Sequence, residues 1–428
     1  MTWQIVAAVG IFLTAYVFIA TEKLPKVPVT LTGAALMVLI GATDAEHTFY
    51  SHDSGVDWDV IFLLLGMMII VGIARHSGMF EYVAVWSAKV ARGRPFFILA
   101  MFATITAVLS ALLDNVTTVL LIVPVTLLVC QRLAVPAVPY IITEVMASNI
   151  GGTSTLIGDP PNLIIGSRGG LGFADFAGAL GPIVLILIVV LIGLVWLMFG
   201  RRLRYDPERA AKVMALRERD TIRDRRLLVM SLVVIGLVLA GFLTSRITHL
   251  APSIVALLGA GVLILLARPE PRRIFGDVEW ETLLFFAGLF VMVGSLVNLG
   301  IIEMLGGLAV EAIGDNWAAG ATGLVVGSAA LSGIIDNIPY VATMAPLTSD
   351  LVSAGGDAAQ PLWWALALGA DLGGNATAIG ASANVVALGI AQRNGHHITF
   401  WQFTKYGLIT TAITVAISAA YVWLRWYA

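Results

Sequence analysis

Long apolar runs separated by short polar interruptions make up nearly the whole chain, and most runs are close to the length that crosses a bilayer. WQIVAAVGIFLTAYVFIA (3–20) is the first; others cover 27–43, 58–76, 134–166, 176–200, 226–245, 250–267, 279–298, 361–391 and 402–425. About 20 helical residues span a hydrocarbon core, so these ten segments are expected to be transmembrane helices. The first has no basic residue before it and no small-residue cleavage site, which predicts a span rather than a signal peptide. Two further stretches, 96–132 and 317–350, are too long for one crossing. Each is interrupted by an Asp-Asn pair, Asp114-Asn115 and Asp336-Asn337, and is expected to be a re-entrant hairpin. Glycine-rich breaks divide 134–166 and 361–391, which are expected to be discontinuous helices.

The pattern occurs twice. DWDVIFLLLGMMIIVGIARHSGMFEY (57–82) returns as EWETLLFFAGLFVMVGSLVNLGIIEM (279–304), SALLDN (110–115) as SGIIDN (332–337), and NIGGTSTLIGDPPN (149–162) as DLGGNATAIGASAN (371–384). The offset is 222 residues throughout, pairing Asp114 with Asp336, Gly151 with Gly373, Thr155 with Thr377 and Asn162 with Asn384. A constant register over about a hundred residues indicates a duplicated unit. The expected organisation is a first repeat (1–200), a polar linker (201–226) and a second repeat (227–428). Five crossings per repeat is an odd number, so the copies are expected to be inverted. The fold class is all-α and polytopic, with about ten transmembrane helices.

Charge fixes the expected orientation. Ten of the 25 Lys and Arg lie in RRLRYDPERAAKVMALRERDTIRDRR (201–226). With that linker in the cytoplasm, 22 basic residues fall inside and only Arg168, Arg246 and Arg425 outside, a strong positive-inside bias. Both termini then lie outside a cell (inner) membrane, as does the acidic loop 44–59.

Composition narrows the chemistry. Of 428 residues 59% are hydrophobic and 12% charged, about half the charge of a soluble protein. The single Cys130 excludes an internal disulfide and a multi-thiolate metal site, and no two of the six histidines stand at ligand spacing within an apolar run. No Walker-type loop, HExxH or activated Ser or Cys arrangement is present. No enzyme activity, metal, cofactor or nucleic-acid partner is expected.

What remains is polar chemistry inside hydrocarbon. From Pro95 to Gln131, Asp114 is the only charged residue, and a carboxylate at the bilayer centre costs about 2.5 kcal/mol or more. The first hairpin carries Ser110, Asp114, Asn115, Thr117 and Thr118; the following break carries Asn149, Gly151, Gly152, Thr153, Thr155, Asp159 and Asn162. The second repeat supplies Ser332, Asp336 and Asn337, then Asp371, Gly373, Gly374, Asn375, Thr377, Ser382 and Asn384. Inverted-repeat transporters bind solute at such broken helices near the midplane. The expected solute-binding residues are Asn115, Thr117, Asn149, Gly151, Gly152, Thr155, Asn337, Gly373, Gly374, Asn375 and Thr377. Asp114, Asp336, Asp159 and Asp371 are the expected proton-coupling groups. Asp159 faces Ala381 in the repeat alignment and Asp371 faces Asn149, so the acids are asymmetric. No Lys or Arg occurs in these core segments, which favours a proton, a metal cation or a neutral polyhydroxyl solute over a dicarboxylate. Glu144 is expected to be a satisfied carboxyl within the fourth span.

The motifs LLDNVTT, NIGGTSTLIGDPPN, IIDNIP and LGGNATAIGASANV resemble the ion transporter superfamily, in particular its ArsB-type arsenite/antimonite permeases and P-protein-like branch. The resemblance implies a scaffold and a transport domain, an elevator-like motion, and a homodimer through the scaffold. It also implies efflux of a small inorganic solute, arsenite or antimonite, which a hydrogen-bonding site could hold without a trithiolate. Proton-coupled antiport is the expected mechanism. The competing readings are a sodium/proton antiporter, a small-anion or dicarboxylate carrier, and the channel subunit of a pump driven by a separate soluble ATPase.

Overall fold

The computed structural model describes residues 2–21, 23–51, 54–200, 203, 205–215 and 217–428. Arg201, Arg202, Arg204 and Leu216 of the expected linker, and His52 and Asp53 of the 44–59 loop, lie outside the described residues. The regular elements described are all helical, the geometry that satisfies backbone polar groups internally in lipid. The first repeat contributes α1 (Thr2–Thr21), α2 (Lys26–Leu39), α3 (Trp58–Arg75), α4 (Met79–Val90), α5 (Pro95–Leu112), α6 (Asn115–Leu133), α7 (Val138–Gly152), α8 (Pro160–Gly169) and α9 (Phe173–Phe199). The second contributes α10 (Arg225–Leu243), α11 (Pro252–Ala267), α12 (Trp280–Asn298), α13 (Ile301–Ile313), α14 (Trp317–Ser332), α15 (Asn337–Gly355), α16 (Leu362–Gly373), α17 (Ser382–Arg393) and α18 (Phe400–Trp426).

The duplication is structural as well as sequential. Helices α3, α4, α5, α6 and α8 start at 58, 79, 95, 115 and 160, and their partners α12, α13, α14, α15 and α17 start 222 residues later. Their starts are set by local chemistry that the repeats share. Gly78 and Gly300 adopt φ of 83° and 72° before α4 and α13, a region open to glycine at little cost. Asp114 and Asp336 cap α6 and α15 by accepting from the amides of Thr117 (2.7 Å) and Ile338 (3.1 Å).

Eight described helices are long and apolar enough to cross a membrane: α1, α3, α5, α6, α9, α10, α12 and α18. The expected spans 27–43 and 250–267 contract to 14 and 16 residues. A left-handed turn at Gly41 (φ 70°) follows the early end of α2, whereas α11 loses its two residues at the start and is closed where expected by Arg268 (φ 49°). The stretches expected to be hairpins are the helix pairs α5–α6 and α14–α15, of which α5 and α6 are each long enough to cross, and the stretches expected to be discontinuous helices are α7–α8 and α16–α17.

Two layers of packing result. Helix α3 lies on α11 and α2 on α12, with α1 against α2 and α10 against α11. Both central crossings are made at glycine. A Cβ on Gly66 would fall 2.8 Å from the Ala256 carbonyl carbon, and one on Gly288 2.9 Å from that of Thr30. The hairpins and broken helices form the second assembly, where α5 packs on α7, α14 on α16, α6 on α17 and α8 on α15. The repeats therefore interlock: the second half of each broken helix leans on the other repeat's hairpin. Outward faces carry exposed Leu185, Val189 and Leu197 on α9 and Leu237, Leu258 and Leu265 on α10 and α11, as a lipid-facing surface requires.

The 201–226 segment is anchored rather than loose. Its Glu218 pairs with Lys89 (2.6 Å) and its Arg223 with Glu81 (3.1 Å), while the Arg223 amide donates to the Ser77 carbonyl (2.9 Å). The Lys89 ammonium beside Glu218 holds that carboxyl below its usual range.

Candidate functional site

The breaks are built by side chains whose type the sequence dictates twice. Asn162 Nδ2 donates to the carbonyls of Gly152 (3.2 Å) and Thr155 (3.0 Å); Asn384 Nδ2 donates to Gly374 (2.7 Å) and Thr377 (2.8 Å). Each amide thus braces two carbonyls of the interrupted helix, where the carbonyls of Gly152, Thr155 and Thr377 otherwise accept only long turn bonds of 3.3 to 3.4 Å. Thr155 Oγ1 donates to the Ala111 carbonyl and Thr377 Oγ1 to that of Gly333 (2.7 Å), tying each break to its own hairpin. Ser110 and Ser332 do the same from the hairpin side, donating to the carbonyls of Ser148 (2.7 Å) and Ala370 (2.6 Å). Gly151 and Gly373 bring the backbones together: a Cβ there would lie 2.2 Å from the Ala107 oxygen or 2.6 Å from that of Ala329. Gly152 and Gly374 sit against Gly158 and Gly380. Of the expected solute-binding residues, Gly151, Gly152, Gly373, Gly374, Thr155 and Thr377 are therefore committed to building the walls. Thr117 offers its backbone amide to Asp114.

A buried polar centre lies where the four interrupted segments converge. Asp159, fully buried, accepts from Asn115 Nδ2 at 2.8 Å and from Asn337 Nδ2 at 3.2 and 3.3 Å. These are the pseudo-equivalent asparagines of the two hairpin tips, so one carboxyl joins both. Asn115 also reaches Asn149 Oδ1 (3.2 Å), and Asn149 Nδ2 donates to Asn375 (2.9 Å) and Asn384 (3.0 Å) across the repeat boundary. Asp371 is fully buried and electrostatically felt by Asp159. Neither of its oxygens has a well-formed hydrogen bond among the described residues; Thr153 and Asn162 are the nearest side chains able to offer one. Asn115 Oδ1 and Asn162 Oδ1 are likewise without donors. An ionised Asp371 so placed lacks compensation, whereas Asp159 in the same centre has its two asparagine donors.

Asp114 and Asp336, alike in sequence, differ in surroundings. Asp114 lines a cavity of about 1020 Å³, which Lys26 also lines, and forms no ion pair among the described residues. Asp336 is 5% exposed, and its Oδ2 accepts from Lys26 Nζ at 2.6 Å and Ser382 Oγ at 2.5 Å. The sequence-based expectation of a site without a cation is corrected here: no Lys or Arg lies in the hairpins or breaks, but the first residue of α2 delivers one from the neighbouring assembly. Next to it, Tyr16 on α1 donates to the Pro339 carbonyl and bonds Thr343 Oγ1 (2.9 Å). The cavity also contains Glu279, Glu281 and Ser382 and runs along the N-terminal ends of α2 and α12. Burial, and then the negative charge of Asp114, push the Glu279 carboxyl up to about 7. Lys26 and Glu279 were not singled out from the sequence, since each stands at the start of an expected span, where a charged residue is ordinary.

Glu144 is the other buried acid. Thr126 Oγ1 donates to its Oε1 (2.5 Å), and Oε2 has no hydrogen-bond partner among the described residues. The expected satisfied carboxyl is only half satisfied.

Comparison with known proteins places this geometry. A family model described as citrate transporter (CitMHS) matches residues 16–369. An uncharacterized transporter of Mycobacterium tuberculosis is 53% identical over 424 residues, covering 99% of each chain. The P protein of Homo sapiens is 32% identical over 499 residues, covering 98% of this chain and 60% of that protein. Among solved structures, the YdaH transporter of Alcanivorax borkumensis aligns with a TM-score of 0.60 at 17% identity over 92% of this chain and 88% of that one. MtrF of Neisseria gonorrhoeae, from a class of antimetabolite efflux pumps, aligns with a TM-score of 0.57 at 12% identity over 97% and 98%. The P-protein side of the expected resemblance is met, and these findings carry nothing for its arsenite-permease side.

Proposed function

The chain belongs to the citrate transporter (CitMHS) family of the ion transporter superfamily, and within it we propose a proton-coupled carrier that works by an elevator-like movement. It is a multi-pass membrane transporter and not an enzyme. In the proposed cycle the hairpins and broken helices (α5–α9 and α14–α18) move as the transport body against a scaffold of α1–α3 and α10–α12. The proposed arrangement is two inverted repeats with ten crossings, the 201–226 segment in the cytoplasm, and the large cavity open to that side.

The observation that carries the reading is the pair Asp159 and Asp371. Asp159 binds both hairpin tips, and Asp371 sits beside it without a well-formed hydrogen bond. Taking up and releasing a proton there changes whether the tips are held to the breaks, which couples proton occupancy to solute access. The solute proposed is small, uncharged and hydroxylated, with arsenite the first candidate. The centre offers amide donors and acceptors, and the cavity is acidic overall, with Asp114, Glu279 and Glu281 beside a single Lys26. A small carboxylate is the second reading, supported by Lys26 and by the description of the matched family.

The test is solute-evoked proton movement in inside-out proteoliposomes carrying a pH dye, with arsenite, sodium and citrate compared. Proton release with arsenite, lost in Asp159→Asn and Asp371→Asn, is the expected result. Release with citrate alone would move the assignment to the second reading. Release with sodium alone would make the protein a sodium/proton antiporter. Unaltered proton coupling in both variants would remove the pair from the mechanism.

A further inference from the structure

The Lys26–Asp336 contact joins the two assemblies that an elevator must separate. Lys26 begins α2, which packs on α12; Asp336 is the tip of the hairpin α14–α15, and Ser382 begins α17. Three polar groups from three elements close on one another: Lys26 Nζ to Asp336 Oδ2 at 2.6 Å, Lys26 Nζ to Ser382 Oγ at 3.3 Å, and Ser382 Oγ to Asp336 Oδ2 at 2.5 Å. Tyr16 adds a second cross-link to the same hairpin through the Pro339 carbonyl and Thr343. Among the described residues the first hairpin has no equivalent ion pair. The Thr30–Ala256 equivalence of the glycine crossings sets Pro252 opposite Lys26, and the 222-residue offset sets Pro160 opposite Ser382. Proline offers no side-chain donor, so the first tip, Asp114, cannot be latched in the same way.

We infer that Lys26 is a positioning residue of the scaffold that latches the second hairpin in the cavity-open state, and that this ion pair must break before the hairpin can leave. The inference rests on the elevator reading and adds to it the contact that must break. With Asp336 ionised, the ammonium and the Ser382 hydroxyl hold the tip against α2. Neutralising either partner removes the ion pair and leaves the Ser382 hydroxyl as the contact that holds the tip. The other titratable groups around this junction are Tyr16 on α1, Tyr340 on α15 and Asp159 just before α8, with Asp114, Glu279 and Glu281 across the cavity.

The experiment reads the position of the hairpin without requiring transport. Val386→Cys, which lines the cavity, is introduced into a Cys130→Ala background and labelled with an impermeant maleimide in inside-out vesicles at neutral pH, each rate being divided by that of the same thiol in denatured protein. Lys26→Gln and Asp336→Asn should each slow labelling by about 5-fold or more, the scale of a typical coupling between two states. Lys26→Arg should keep the parent rate. If Asp336→Asn fails to fold, Lys26→Gln and the double exchange Lys26→Asp/Asp336→Lys carry the test, the exchange being expected to recover labelling. A labelling rate identical to the parent in Lys26→Gln would overturn the inference. Solute-evoked proton flux is measured on the same vesicles: a parent without flux but with latch-dependent labelling removes the coupling reading and leaves the latch.

Discussion

Gly151 and Gly373 give the sharpest test of how the transport body is built, because the same substitution in each copy meets a measurably different neighbour. Alanine at 151 would set its Cβ 2.2 Å from the Ala107 oxygen and 2.5 and 2.6 Å from the Cα and carbonyl carbon. Ordinary contact starts near 3.4 Å, so α5 and α7 must separate by about 1 Å. These are backbone atoms of a long helix and cannot swing aside. At 373 the corresponding distances to Ala329 are 2.6, 2.7 and 3.0 Å, and a smaller shift suffices. Overpacking of this kind costs about 1–3 kcal/mol, with Gly151→Ala at the upper end and Gly373→Ala at the lower. Gly181 and Gly193 have no neighbour within 4 Å; alanine there gains up to about 1 kcal/mol of helix propensity. Displacement of α5 also draws Ser110 from Ser148 and Asn115 from Asp159, so loss of transport should follow loss of stability in the same order. Thermal unfolding of the four purified variants, followed by tryptophan fluorescence, reads the ranking: Gly151→Ala least stable, then Gly373→Ala, then the parent, then the two controls. Equal stabilities for Gly151→Ala and Gly181→Ala would refute the packing argument outright.

Two further outcomes follow from the polar groups. Asn115→Ala and Asn337→Ala each remove a hydrogen bond to a buried carboxyl, worth about 1.5–3 kcal/mol for a charged acceptor; each should lower solute-evoked proton flux by about 10-fold or more in proteoliposomes. The double variant should be far less than multiplicative, because both donors serve one Asp159. For Glu279 the folded-state value near 7 exceeds the ordinary carboxyl value, so between about pH 4.5 and 7 the folded chain binds more protons than the unfolded one. Stability should therefore fall as pH rises through that window. Glu279→Gln should flatten this part of the pH dependence of unfolding and raise stability at pH 8; an unchanged slope would place the group in water.

The architecture was legible because membrane depth forces it. A polar residue inside a 20-residue apolar run has few places to be, so Asp114-Asn115 and the glycine-rich 149–162 stretch marked the hairpin tip and the break. A repeated register then doubled every inference. The division of labour within the motifs was less visible. Thr155 and Thr377 have the composition of ligands, yet their hydroxyls hold the carbonyls of Ala111 and Gly333; spacing along a chain does not reveal which partner a hydroxyl finds. Asn162 and Asn384 likewise look like solute contacts and serve as braces of the interrupted backbone. Lys26 was invisible for a different reason: its partner lies 310 residues away. A lysine in the short turn after a first span is what topology alone would place there. Only the packing of α2 on α12 brings it to the hairpin tip.

Duplication and divergence separate cleanly in this chain. Residues that set backbone geometry are kept in both copies: glycines at the α5–α7 and α14–α16 contacts, asparagines in both breaks, serines and threonines tying hairpin to break. The hairpin-tip acids Asp114 and Asp336 are kept too, but the charges around them are not. Asp159 answers to Ala381, Asp371 to Asn149, and the Lys26–Ser382 pair to two prolines. In the proposed inverted arrangement, two copies with identical charge would present the same potential to both sides of the membrane and give a proton no preferred stopping place. A scaffold preserved by symmetry and a set of ionisable groups that breaks it is the arrangement a coupled carrier needs: equal access from two sides, with unequal chemistry along the way. The single latched tip follows from the same logic. Asp336 is held in one state by a cation that the scaffold supplies, while Asp114 faces the open cavity with no such partner recorded. The two hairpins, built alike, are thereby given different conditions for release.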